Sequence, residues 1–257
     1  MTGIEHQKGS IVRGGIASAV FLLGLPIVSA RVAFGRIDRD AACAAIAAHF
    51  GRFLKLCGAE VVVEGDPPQG NGGYVLCYNE SSFVDVAAFC DVMWPHIDRA
   101  AAADLYAYIP FGRRMARKAA IEMVPRGNRA GTERLLAEVV ARVRAGERQA
   151  WGGEGRIAGI DGVGRFKIGA SLLAIRAQVP VIPVTFYGGH RIMPLGSLRA
   201  RAGQVRVHFG APIAPEGLTE DDARAFADRL QAAIAARYAE MKASAAVVAV
   251  DVPAVPA

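Results

Sequence analysis

The apolar pattern divides the chain into three regions. Gly14 to Ala30 carries no charge, with Lys8 and Arg13 before it and Arg31 after it. A bilayer span takes about 20 such residues, so this run sits at the short limit. It predicts a membrane-associating helix, with Pro26 as a kink of the kind lipid-embedded helices tolerate. Two other readings stay open: a signal peptide, because Val28-Ser29-Ala30 has the small-residue form of a cleavage site, and a buried core helix. From residue 36 onward, helical and strand periods alternate. Ile37–Gly58 reads as a helix stopped by Gly58, Glu60–Gly65 as a strand, and Gly70–Gly73 as a turn before a buried strand at Tyr74–Tyr78. Ser82–Met93 is helical, Asp104–Ile109 reads as a strand, and Arg113–Lys118 as a basic helix. Ile121–Val124 and Glu147–Trp151 are strands around an amphipathic helix at Arg129–Ala145. A glycine-rich loop, Gly152–Gly164, leads to a helix at Phe166–Gln178 and strands at Val179–Phe186 and Gln204–Phe209. Thr219, Glu220, Asp221 and Asp222 open a long helix ending near Met241, as capping and the helix dipole favour.

Alternating strands and helices predict one α/β domain with a mostly parallel or mixed central sheet flanked by helices. The expected organisation is a membrane-associating segment at 1–35, the α/β domain at 36–242, and a mobile Ala/Val/Pro tail at 243–257. Of the 257 residues, 53% are hydrophobic and 21% charged, which excludes a disordered chain or a coiled coil. A net charge of +6 suits nucleic acid, anionic lipid head groups or an acidic substrate, or marks a basic protein with no anionic partner. Aromatic and basic residues are not interleaved, so nucleic acid is not an expected partner. Cys43, Cys57, Cys77 and Cys90 form no metal-ligand spacing and read as reduced thiols in a cytosol-facing core; no metal or bound cofactor is expected.

Asn79-Glu80-Ser81-Ser82-Phe83-Val84-Asp85 leaves a buried strand and enters a helix, where α/β sites form. Glu80 and Asp85 stand close enough for one carboxylate to raise the other's pKa, a route to a general base. Solvated acids beside a capped helix are the alternative. Pro125-Arg126-Gly127 places an arginine at a strand end, as anion recognition uses or as an ordinary basic turn. Gly152-Gly153-Glu154-Gly155-Arg156 lets backbone approach a ligand, yet has neither the dinucleotide nor the phosphate-loop spacing. Val179-Pro180-Val181-Ile182-Pro183-Val184 reads as an acyl-chain wall or a core strand. Arg113, Arg114, Arg117 and Lys118 suit anionic lipid, an acidic partner or simple solvation.

In this order, these segments resemble the glycerolipid acyltransferase family. Its first motif, N-H-x-S-x-x-D, is matched at Asn79, Ser82 and Asp85, with Glu80 where the family has histidine. Val124-Pro125-Arg126-Gly127-Asn128 is similar to the second motif. Trp151 to Arg156 is similar to the third, F-P-E-G-T-R, with Gly153 in place of proline, and V-P-V-I-P-V is the fourth unchanged. The resemblance covers roughly residues 35 to 240.

It implies a membrane-bound O-acyltransferase on the cytoplasmic face of the inner or plasma membrane. The acyl group would pass from acyl-CoA or acyl carrier protein, as a donor substrate, to the hydroxyl of a lysolipid, lysophosphatidate-like or a lyso-aminolipid. Glu80 would be the base and Asp85 its partner. Asn79, Ser82, Arg126, Glu154, Gly155 and Arg156 would form the substrate site. A carboxylate of ordinary pKa, about 4.3, is a poor base for an alcohol and needs raising to about 6–7. The alternatives are a lipid- or carrier-binding homologue without catalysis, and a thioester hydrolase. Among the other histidines, His49 and His96 read as surface groups; His190, in Tyr187-Gly188-Gly189-His190, and His208 read as structural groups, with replacement of the missing motif histidine as the alternative.

Overall fold

A computed structural model describes residues 9–250 apart from 71 and 126. His6, Lys8, one position of the Gly70–Gly73 turn, the candidate Arg126 and residues 251–257 therefore lie outside the described residues. Two helices come first, α1 (Ile11–Phe34) and α2 (Arg39–Cys57). Then follow β1 (Ala59–Glu64), β2 (Tyr74–Tyr78), α3 (Phe83–Val92), β3 (Arg99–Ala103), α4 (Gly112–Lys118), β4 (Ile121–Val124) and α5 (Arg129–Arg144). The chain continues through β5 (Arg148–Gly152), α6 (Gly169–Ala177), β6 (Val181–Tyr187), α7 (Gly189–Ile192), β7 (Gly203–Phe209) and α8 (Ala223–Val250).

The strands form one mixed sheet in the order β1-β7-β6-β2-β5-β3-β4. All neighbouring pairs are parallel except β6–β7. β2 is central and buried on both faces, as its unbroken apolar run requires. Its alternation splits the core. Tyr74, Leu76 and Tyr78 pack with residues of α2 and α3, whereas Val75 and Cys77 pack with α5, α6 and α8. All four cysteines are buried free thiols in these two cores.

Helix boundaries follow local chemistry. Asp38 accepts from Ala41 N at 2.8 Å at the start of α2, and Gly58, at φ 75°, closes it in the left-handed conformation. Asn128 caps α5 by accepting from Gly131 N at 2.8 Å. α6 begins at Gly169 rather than near Phe166, because Phe166 N donates to Gln231 Oε1 and Lys167 N to Gly153 O. Those bonds hold the preceding residues out of the helix.

Three expectations need correction. The strand after Ile97 is Arg99–Ala103, and Asp104–Tyr108 is a 3₁₀ turn with Tyr108 exposed. The residues after Met241 continue α8 as far as Val250, where Arg206 bonds to Met241 O and Ser244 Oγ. His49 is a buried group, not a surface one: its Nε2 lies 3.0 Å from Phe21 O and its ring stacks on Phe21.

α1 is neither a core helix nor detached from the domain. Ala17, Phe21, Ser29, Val32 and Ala33 are buried, so the helix is held along its length. Leu22, Leu23 and Ile27 on the opposite side are 64%, 75% and 71% exposed. At α1's far end, Arg114 lies over the Phe34 ring at 4.7 Å and Lys118 Nζ donates to Gly35 O. Phe21 makes edge contacts with Phe50, Phe53 and Phe83. Replacing Phe21 with Ala is expected to cost about 3–5 kcal/mol through the cavity left. A thermal melt checks this: a cost below about 1 kcal/mol would mean α1 is not docked through this ring.

Candidate active site

The site is built where β2 and β6 end side by side. Asn79 follows β2 and is sealed from solvent; its Nδ2 donates to Phe186 O at 3.0 Å and its Oδ1 accepts from Phe186 N at 2.9 Å. The side chain thus continues the β2–β6 ladder. Ser82 is also fully buried and caps α3, its Oγ accepting from Val84 N at 3.0 Å. Neither candidate presents a free polar group to a substrate; both shape the turn.

Asp85 closes the same capping box. Its Oδ2 accepts from Ser81 N at 2.7 Å, Ser81 Oγ at 2.6 Å and Ser82 N at 3.0 Å. Its Oδ1 is buried without a described partner. Burial raises the Asp85 pKa, opposed by the Ser81 and Ser82 hydrogen bonds and by His190.

Glu80 is half-buried, and its backbone is pinned on both sides. Glu80 N donates to Glu154 Oε2 at 2.8 Å, and Ala158 N donates to Glu80 O at 2.7 Å. Burial, then the charges of Glu154 and Asp85, push the Glu80 carboxyl up to about 8. Its side chain makes no described hydrogen bond to Asp85, whose Oδ2 is held by Ser81 and Ser82.

Glu154, on the loop after β5, is 5% exposed. Besides Glu80 N it accepts from Gly164 N at 2.6 Å, so one carboxyl ties the start of the α3 turn to the far end of its own loop. Burial pushes its pKa up to about 7, with Asp85 adding and the two backbone donors and Arg156 opposing. Gly153 explains the missing proline. A Cβ there would stand 2.4 Å from the Phe166 ring, and the Gly153 N–H, which proline lacks, donates to Tyr78 O at 2.8 Å. Gly155 and Arg156 are exposed, and the Lys167 side chain lies beside Gly155.

The candidates Glu80, Asp85 and Glu154 therefore stand together, with Arg156 on the open side. The strand containing Val181–Val184 is buried throughout, as a core strand is. Sequence reasoning weighs His190 as a replacement base but misses Ser81 as Asp85's partner and the approach of the Gly188-Gly189 turn to Asp85. The paired glycines directly after a buried strand were the one available signal. His208 is remote, facing Glu64 and Arg237, where burial lowers its pKa.

A raised acid makes folding take up a proton. Between the ordinary carboxylate value and about 8, the folded chain holds a proton on Glu80 that the unfolded chain releases. The cost of holding this group therefore grows as pH rises through that window and is constant above it. Glu80→Gln is expected to raise the melting temperature, by little at pH 4.5 and increasingly up to pH 8. Melts across pH check this, and a pH-independent difference would count against a buried, raised carboxyl.

A sequence profile of the acyltransferase family matches residues 59–187, half of the chain. Human 1-acyl-sn-glycerol-3-phosphate acyltransferase alpha is 39% identical over 66 residues, 26% of this chain and 23% of its own length. The matched stretch is thus about a quarter of that relative. A Caenorhabditis elegans relative described by the same activity, acl-2, is 29% identical over 75% of this chain and 69% of its own. The crystal structure of the LPA acyltransferase PlsC from Thermotoga maritima shares the fold, with TM-score 0.67 and 21% identity over 90% of this chain and 97% of that one. Through the profile match, which runs from β1 to the end of β6 and takes in all three acids, the chain belongs to the acyltransferase family.

Proposed function

We propose that the protein transfers an acyl group from a thioester donor, acyl-CoA or acyl carrier protein, to the hydroxyl of a lysolipid at a membrane surface. The observation that carries this is the group of acids at the ends of β2 and β5, Asp85 and Glu154 buried and Glu80 half-buried, with Glu80 and Glu154 raised toward or past neutrality, in a chain of this family. The acceptor is lysophosphatidate-like, as the names of the human and nematode relatives suggest. Arg156, exposed on the Glu154 loop, is the cation placed to meet an anionic head group.

The raised carboxyl alters what Glu80 does. With a pKa of about 8 it is mainly a neutral acid at pH 7. A neutral acid in a shielded site donates a hydrogen bond to a developing oxyanion, here the thioester carbonyl oxygen. This replaces the ionised base that the family resemblance implies for the same position.

α1 is long and apolar enough to cross a bilayer by length and composition, but one side of it is docked on the domain along its length, so its exposed apolar face serves as a surface that lies on the lipid. Four buried free thiols suit the reducing, cytoplasmic side. Arg113 and Arg117 line a cleft with Arg99 at the β3–β4 edge, where they suit an acidic carrier.

Purified protein with labelled acyl-CoA or acyl carrier protein and a panel containing lysophosphatidate and a lyso-aminolipid is expected to yield the diacyl product by mass spectrometry. Free fatty acid alone would make it a hydrolase, and donor binding without turnover would make it a binding protein. Changing Leu22, Leu23 and Ile27 to Glu is expected to lower co-sedimentation with anionic vesicles by at least about tenfold while leaving the melting temperature little changed. Unaltered sedimentation would remove α1 from membrane binding.

A further inference from the structure

The turn after β6 is shaped by two positions that exclude side chains. Gly188 has φ 103°, and a Cβ there would stand 2.1 Å from Gln204 O. At Gly189 a Cβ would stand 1.9 Å from Asp85 Oδ1. The chain thus passes against Asp85 with only hydrogen at residue 189, and the next residue is His190.

His190 is half-buried, and its Nδ1 is shut off from solvent without a described partner. Asp85 Oδ1 is in the same condition. A buried polar atom left alone costs about 1–3 kcal/mol, so a ring nitrogen that can donate and a carboxylate oxygen that can accept, the latter packed against the residue preceding His190, gain by pairing. Hydrogen bonds of this kind are often open in a free enzyme and close on substrate binding. Asp85 is already fixed through its other oxygen by Ser81 and Ser82, so Oδ1 has a set direction. Its electrostatic response to His190 agrees with this proximity.

We infer that His190 is the general base of the transfer, with Nδ1–H donating to Asp85 Oδ1 and Nε2 facing the acceptor hydroxyl. This deepens the acyl-transfer reading and rests on it. The carboxylate fixes the tautomer in which Nε2 keeps its lone pair. Nε2 takes the proton as the hydroxyl O–H bond breaks, and the oxygen forms a C–O bond to the thioester carbonyl carbon. The C–S bond then breaks, and the leaving sulfur receives the proton from Nε2. Base and neutral acid thus come from different loops, His190 after β6 and Glu80 after β2. The remaining described histidines are committed elsewhere: His49 to Phe21 O, His96 against the Phe209 ring, and His208 among Glu64 and Arg237.

The test uses the full chain with vesicle-borne lysophosphatidate and acyl-CoA. His190→Ala is expected to lower kcat by about 10²–10⁴-fold with little change in KM for acyl-CoA. Added imidazole should restore a measurable part of that rate. His190→Gln, closer in size, covers the case in which the alanine variant does not fold, and should be equally slow. A His190→Ala rate within about tenfold of wild type overturns the inference. A lost rate that imidazole leaves unrestored assigns His190 to the fold and also overturns it. If the wild type acylates no lysolipid, the acyl-transfer reading falls and this falls with it; if the wild type works and both variants keep pace, this alone falls.

Discussion

The site depends on the carboxamide of Asn79. β2 and β6 are hydrogen-bonded neighbours, and beyond Tyr78 the two chains part toward different helices. The Asn79 amide donates to and accepts from Phe186 there, supplying what another pair of backbone groups would have supplied. Both bonds are buried, so a side chain unable to make them would leave two backbone groups unsatisfied at about 1–3 kcal/mol each. The larger consequence is positional. The turn holding Glu80 and Asp85 and the turn holding Gly189 and His190 start from strand ends locked in register. Chemistry drawn from two loops needs such a brace.

Around that brace, backbone donors and buried acids divide the work. Asp85 and Glu154 accept backbone N–H groups and so fix loop geometry, while the Glu80 carboxyl is left unbonded among described groups. Three acids in one low-dielectric region cannot all ionise at little cost, and proton uptake relieves the repulsion. The raised values of Glu80 and Glu154 come first from burial, with the neighbouring acids' charges adding to it. A site kept partly neutral in this way handles protons near pH 7, where an ordinary carboxylate is too weakly basic and too fully ionised.

Much of the architecture was legible because it rests on local pattern. The unbroken apolar run Tyr74–Tyr78 could only be a doubly covered strand, and Gly58 marked the end of α2 by the conformation glycine permits. β3 was not legible. Arg99–Ala103 is mostly alanine, with weak strand preference, and it becomes a strand through pairing with β4 and β5 and through Arg99 bonding to Glu122 and Glu147. The aromatic segment after it, for all its strand preference, forms a 3₁₀ turn. In the site, sequence spacing found the acids but not their hydrogen bonds, because Ser81, four residues from Asp85, turns its backbone and hydroxyl onto Asp85 Oδ2. His190 and His208 looked equivalent on paper; only tertiary packing puts one beside Asp85 and the other by β1. His49 looked like a surface residue because the covering helix, α1, lies outside its own local sequence.

Gly189 has a consequence of its own. It bears no functional group, yet its missing methyl is what leaves room for an oxygen of the neighbouring acid. A substitution at His190 or at Glu80 changes a reacting group but leaves the turn's path open. At Gly189 even the smallest addition displaces Asp85, so the least reactive residue of the turn is the one with the least freedom to vary.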